Sequence, residues 1–268
     1  MHRFGKVWVG LAGLSLVTVL AACGSDSKTA SSSGSATSAS TPAVTGPVTV
    51  FAAASLTEAF NAEKTTLQGA NPGLTITYSF AGSGTLVQQV TQGAPADVIA
   101  TADSASMQKL VDAGLVEAPA TFAKNKLEIL VQPGNPKHIT SIADLARSDV
   151  TFVTEDDTVP AGKYATAMFK AAGITPTPVS KELDVKSAVA KVTSGEADAT
   201  VVYVTDVKAA GTKGAGVEIP DAQNQIATYP IAIVKATTHH DAASAFVAAI
   251  VTGSGQDALR TSGFLPAA

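Results

Sequence analysis

The sequence predicts an α/β fold in two lobes, each a mixed, mostly parallel sheet flanked by helices, with the chain crossing twice between them. Three observations carry this. Strand and helix patterns alternate from Val48 onward, the order that builds sheets with crossover helices. At two places a strand runs through small residues straight into a helical pattern, TVFAAASLTEAF at 49–60 and FAGSGTL at 80–86. Two strand-like runs, at 126–131 and 225–234, fall where the chain would leave one lobe and return, and serve as hinges.

The elements follow in order. VTVFAAA reads as a strand, and SLTEAFNAEKTTLQ as a helix with Leu56, Phe60 and Leu67 at helical spacing. GLTITYSF alternates Leu74, Ile76, Tyr78 and Phe80 against polar residues, a period of two. A short helix puts Leu86, Val87 and Val90 on one face and stops at Gly93, and ADVIAT is the third strand. After a helix at 104–114, KLEILVQ is a strand leaving the first lobe. A second set follows: VTFVT, a helix from Pro160 to Gly173, the helix DVKSAVAKVTSGEA, and the buried strand ATVVYV. YPIAIV precedes two C-terminal helices at 241–251 and 254–261. Lobe 1 is then 48–126 plus 230–268, and lobe 2 is 127–229.

Ahead of this lies a processing segment. MHRFGK is basic, VWVGLAGLSLVTVL is apolar, and LAAC closes the run at Cys23, the pattern of a lipoprotein signal peptide over 1–22. The apolar run falls short of the roughly 20 residues a membrane span needs. Cys23 is therefore expected to carry lipid, and 23–47, rich in Ser, Thr, Ala and Gly, to be a flexible tether. Cys23 is the only cysteine, so no disulfide holds the fold and its core must suffice. With 46% hydrophobic and 15% charged residues the chain is globular. A net charge of −4 argues against a nucleic-acid partner, and beyond the signal only Arg147 and Arg260 could clamp an anion.

The two bare joints allow a specific chemistry. A helix start offers unpaired N–H groups and a partial positive charge, and small residues before it let an anion approach. Ser55 and Ser83 stand at these starts. Each could instead be an ordinary N-cap. Ser55 with Glu58 even makes an S-x-x-E capping box, in which the glutamate would take the serine N–H.

The stretches VTVFAAASLTEAF, YSFAGSGTLVQQVTQGAPADVIATAD, VPAGKYA, DVKSAV, GEADATVVYVTD and YPIAIV together resemble the substrate-binding lipoproteins of molybdate ABC importers. Binders of tungstate, sulfate and thiosulfate share parts of this pattern. The resemblance implies a periplasmic-binding-protein-like type II fold and capture of molybdate, or tungstate, for delivery to a membrane permease driven by a separate ATPase. It implies no enzyme activity and no cofactor, molybdenum being held only as the oxyanion. It further implies a monomer anchored through Cys23 on the outer face of the bacterial cytoplasmic membrane. The family's oxyanion contacts fall on Ser55, Ser83, Ala161, Val185 and Tyr203, with Ala161 and Val185 acting through backbone N–H. Many relatives carry more serines in the second loop, whereas this chain has Gly82-Ser83-Gly84. All these groups are neutral donors, which suits an acidic protein binding a dianion through fixed dipoles and disfavours ligands that keep a proton.

Other readings have weaker support. SMQK at 106–109 matches a serine acyl-enzyme motif without its companions S-D-N and K-T-G, and an exposed helix face would explain it. PAGK lacks the first glycine and the Ser/Thr of a phosphate loop. His138 is alone and His239-His240 are adjacent at a helix start, so no metal site is expected; Glu155-Asp156-Asp157 reads as a solvated acidic turn. A surface lipoprotein that binds a protein partner and no small ligand remains as a further class.

Overall fold

The computed structural model describes residues 44–268, so the expected signal peptide, Cys23 and most of the tether lie outside the described residues. Within that range the first lobe opens with β1 (Gly46–Ala53), α1 (Thr57–Ala70), β2 (Leu74–Ala81), α2 (Ser83–Thr91), β3 (Val98–Ala100) and α3 (Ser104–Asp112). The long strand β4 (Ala120–Val131) leads out of it. β5 (Val153–Glu155), α4 (Pro160–Ala172), β6 (Ser180–Glu182), α5 (Val185–Thr193), β7 (Ala199–Tyr203), α6 (Val204–Ala210) and β8 (Ala215–Glu218) follow. β9 (Ile226–Ile233) then returns the chain to α7 (His240–Thr252) and α8 (Gly255–Ser262).

The main sheet has the order β2-β1-β3-β9-β4-β7, with β8 also on β4. β1 is parallel to both β2 and β3, while every antiparallel pair of this sheet involves β4 or β9. β4 is shared: its first half, to Lys126, pairs with β9, and its second half, from Leu127, lies between β7 and β8. β5 and β6 pair in parallel, and a bridge from Phe152 to Ala199 sets them beside β7. The two expected crossings are thus neighbouring strands, and the sheet curls from one lobe into the other.

The sequence placed a strand at 126–132, six residues later than β4 starts. ATFAKN has no clear alternation, yet Phe122, Ala123 and Asn125 are buried, and the Asn125 amide donates to Thr205 Oγ1 at 2.9 Å. Tertiary contacts, not periodicity, extend the strand. α4 starts and stops as its residues dictate, with Pro160 in the first turn and Gly173 left-handed at φ 66°.

Aromatic rings hold the core beneath α1 and α7. Phe60 meets Phe246 edge-on at 5.6 Å, and Tyr229 meets Phe264 at 5.2 Å and Tyr203 at 5.8 Å. Removing each such ring from water contributes roughly 1.5–3 kcal/mol. This packing fixes the end of β7, where the candidate site forms, against β9.

Candidate functional site

Strand ends and helix starts from both lobes meet at one small cavity. β1 and the turn after it supply Ala53, Ala54 and Ser55; β2, α2 and the residue between them supply Ala81, Ser83 and Gly82; and Ala102 follows β3. From the other lobe come Val159, Pro160 and Ala161 at the start of α4, Asp184 and Val185 at the start of α5, and Tyr203 at the end of β7. All five residues singled out from the sequence line this cavity. About 10 Å³ of it is open to the centre of a water-sized sphere, a volume that holds one small group and excludes bulk water. Larger hollows lie elsewhere, among them ≈ 350 Å³ beside Phe169 and ≈ 630 Å³ beside Asp97. Their acids are engaged internally, Asp157 with Thr166 and Lys181, Asp97 with Thr49, Thr237 and His239.

The donors around the small cavity arise from local structure. Ser83 and Val185 are first residues of their helices and Ala161 is the second of α4, so their N–H groups have no acceptor within the helix. Ser83 Oγ accepts the Ala102 N–H at 3.0 Å, which leaves its own proton for the cavity. Ser55 Oγ lies 2.9 Å from the Tyr229 phenol. The Tyr203 phenol is fully buried without an aligned partner, and burial pushes its pKa well above the ordinary value. Among the described residues Asp184 is the only acid on the wall, and it is turned into its own cap: its carboxylate accepts from Ser187 N at 2.9 Å and Ser187 Oγ at 3.2 Å. Neutral dipoles therefore face the space, and an unpaired phenol points to a missing acceptor.

Neither serine behaves as an N-cap. Ser55 sits inside a single 3₁₀ turn, Ala54–Leu56, and α1 begins only at Thr57 with no side-chain cap. The cap of α2 is Gly82. The capping box expected from Ser55 and Glu58 does not form, because the Glu58 carboxylate is drawn to Lys186 on α5 at 2.7 Å. Lys186 also lies 3.1 Å from Asp206, which is fully buried and accepts the Tyr203 N–H at 3.3 Å. A second ion pair joins the lobes, Lys163 on α4 to Asp103 before α3 at 2.6 Å.

The lobes also touch through backbone. A Cβ on Gly82 would collide with the Leu183 carbonyl, and one on Gly84 would stand 2.6 Å from the Thr158 carbonyl. The Gly-Ser-Gly sequence that removes spare hydroxyls thus permits close approach of the second lobe. Two expectations of exposure fail. Ser106 is buried, its N–H bonded to Asp103 Oδ1 at 2.6 Å, and of that motif Gln108 and Lys109 face solvent. Glu155 is buried too, its carboxyl raised well above the usual range by burial, so the acidic turn is solvated only at Asp156 and Asp157. His239 and His240 pair separately, with Asp97 and Glu117.

Sequence reasoning gave no role to Tyr229, Asp206 or Lys186. YPIAIV, GEADATVVYVTD and DVKSAV did mark all three as part of a pattern, but nothing in such a motif reveals a bond to a serine 174 residues away.

Residues 48–265 match the family described as bacterial extracellular solute-binding protein. The chain is 40% identical to the molybdate-binding protein ModA of Mycobacterium tuberculosis over 262 residues, covering 96% of this chain and 98% of that protein. It is 30% identical to ModA of Haemophilus influenzae over 212 residues, covering 74% and 82%. In fold it is similar to the periplasmic molybdate-binding protein of Azotobacter vinelandii, with a TM-score of 0.70 at 20% identity over 81% of this chain and 98% of that one. It is equally similar to the sulfate-binding protein SubI of Mycobacterium tuberculosis, with a TM-score of 0.70 at 21% identity over 82% and 86%. Among the described residues no helix is long and apolar enough to cross a membrane.

Proposed function

The chain belongs to the bacterial extracellular solute-binding protein family, and from that premise we propose that it captures molybdate, and tungstate with it, and hands the ion to an ABC permease. The observation that carries the reading is the buried Tyr203 phenol without a partner, facing a cavity ringed by helix starts. A tetrahedral oxyanion supplies the acceptors that Tyr203, Ser55, Ser83 and the N–H groups of Ala161 and Val185 lack. The 40% identity to a molybdate-binding protein supports molybdate over other oxyanions. No chemistry is done on the ion. Lobe 1, 48–126 with 230–268, offers the two serines; lobe 2, 127–229, closes Ala161, Val185 and Tyr203 over it by bending at the paired crossings. Glu58–Lys186 and Asp103–Lys163 then tie the closed form. The closed monomer docks on the permease, whose ATPase drives release, and lipid on Cys23 keeps it at the outer face of the cytoplasmic membrane.

The likeness to a sulfate-binding protein makes sulfate the second reading. A thermal-shift panel of molybdate, tungstate, sulfate, thiosulfate and phosphate separates them. A ligand bound only by the folded state stabilises it by about 2.7 kcal/mol at one hundred times its Kd. Molybdate and tungstate should raise the melting temperature and phosphate should not. A shift with sulfate alone would move the assignment to that ion, and a flat panel would leave a lipoprotein that binds partners only.

A further inference from the structure

We propose that Tyr229 is a positioning residue for oxyanion capture: by donating its phenol proton to Ser55 Oγ, it fixes the Ser55 hydroxyl as a donor to the cavity. The inference rests on the oxyanion reading of the site and adds what makes its wall donor-only. Tyr229 lies on β9, fully buried behind Ser55, and does not line the cavity. Its oxygen is 2.9 Å from Ser55 Oγ.

Three hydroxyls meet here, Ser55, Tyr203 and Tyr229, with one proton each. The Asn125 side chain donates through Nδ2 to Thr205 Oγ1 and accepts the Lys126 N–H at its oxygen, with no aligned bond from the Tyr229 phenol to that oxygen. Ser55 Oγ is the aligned acceptor for the phenol. Were Ser55 instead to donate to Tyr229, its proton would point away from the ion and the wall would lose a donor. With Tyr229 donating inward, Ser55 and Tyr203 both keep their protons for a ligand that has none. The same bond occupies a Ser55 lone pair, the acceptor that hydrogen phosphate would need. Burial keeps the phenol protonated, so it remains able to donate over ordinary pH.

The test is a double-mutant cycle on the folded chain, read by molybdate titration calorimetry. Tyr229→Phe should weaken binding by about tenfold in the wild-type background and by less than about twofold in Ser55→Ala, because the phenol acts through that hydroxyl. Placing 3-fluorotyrosine at position 229, a stronger donor of nearly the same size, should tighten binding and covers the case in which Tyr229→Phe fails to fold. Equal losses in both backgrounds would mark a packing role and overturn the proposal, as would no loss in either or no tightening with 3-fluorotyrosine. Should the wild type bind tungstate or sulfate but not molybdate, the ligand reading fails, and the same cycle on the ion that binds still tests Tyr229. A wild type that binds no oxyanion overturns both.

Discussion

The Lys186 ammonium on α5 stands 2.7 Å from the Glu58 carboxylate on α1, an ion pair between the lobes placed one residue from Val185 and three from Ser55. Burial works against the charge on Lys186, yet Asp206 and Glu58 together raise its pKa. The pair links the two lobes, so under the proposed closure it belongs to the balance between open and closed forms. Glu58→Gln keeps the Lys186–Asp206 contact and removes only the link between lobes. Half-exposed pairs are worth about 0.2–1 kcal/mol, so molybdate should dissociate up to about fivefold faster, with association and ligand-free stability little changed. Stopped-flow release at low and high salt checks this, and the difference from wild type should shrink as salt rises.

Asp206 provides a pH dependence. Burial raises its carboxyl to about 6 against the opposing pull of Lys186. The folded pKa lies above the unfolded value, so the folded state binds this proton more tightly than the unfolded chain does. The contribution is greatest below about pH 4, declines as pH rises towards 6, and is flat above that. Asp206→Asn should remove this slope, so that relative to the variant the wild type loses up to about 3 kcal/mol between pH 4 and 7. Urea unfolding of both proteins across that range measures it.

Gly82→Ala separates folding from closure. Gly82 has φ −61° and ψ 141°, which alanine adopts freely, but its Cβ would strike the Leu183 carbonyl of the other lobe. The ligand-free protein should melt within a few degrees of wild type. Molybdate affinity should fall at least about tenfold, the cost of a backbone clash of more than about 1 kcal/mol, and small-angle scattering should show less compaction on ligand addition.

Ser83→Ala tests the hydroxyl at the start of α2. The substitution removes a donor to the ion and also strips the Ala102 N–H of its acceptor. A loss of about 1–3 kcal/mol in binding is expected, read by titration calorimetry. An unchanged affinity would remove Ser83 from the site.

The sequence revealed those parts of the molecule that depend on local physics. The βα alternation, Pro160 and Gly173 at the two ends of α4, and the small residues before Ser55 and Ser83 are all short-range signals, and the five residues they and the family pattern selected surround one cavity. What stayed hidden depends on partners distant in sequence. Glu58 carries a local capping pattern, but a lysine 128 residues away takes its carboxylate. Glu155 and Ser106 look like surface residues because nothing in their neighbours announces the element that covers them. β6 and β8, three and four residues long, are too short to show alternation.

Because β4 gives half its length to each lobe's sheet, neither lobe owns a complete sheet of its own. A cut at either crossing would leave both fragments with raw ladder edges, so the lobes are not separable modules. The joint between them is a twisted two-strand ribbon, not a slack linker. Its stiffness, set by Asn125 and Lys126 against β9, is a spring that the proposed closure would have to bend.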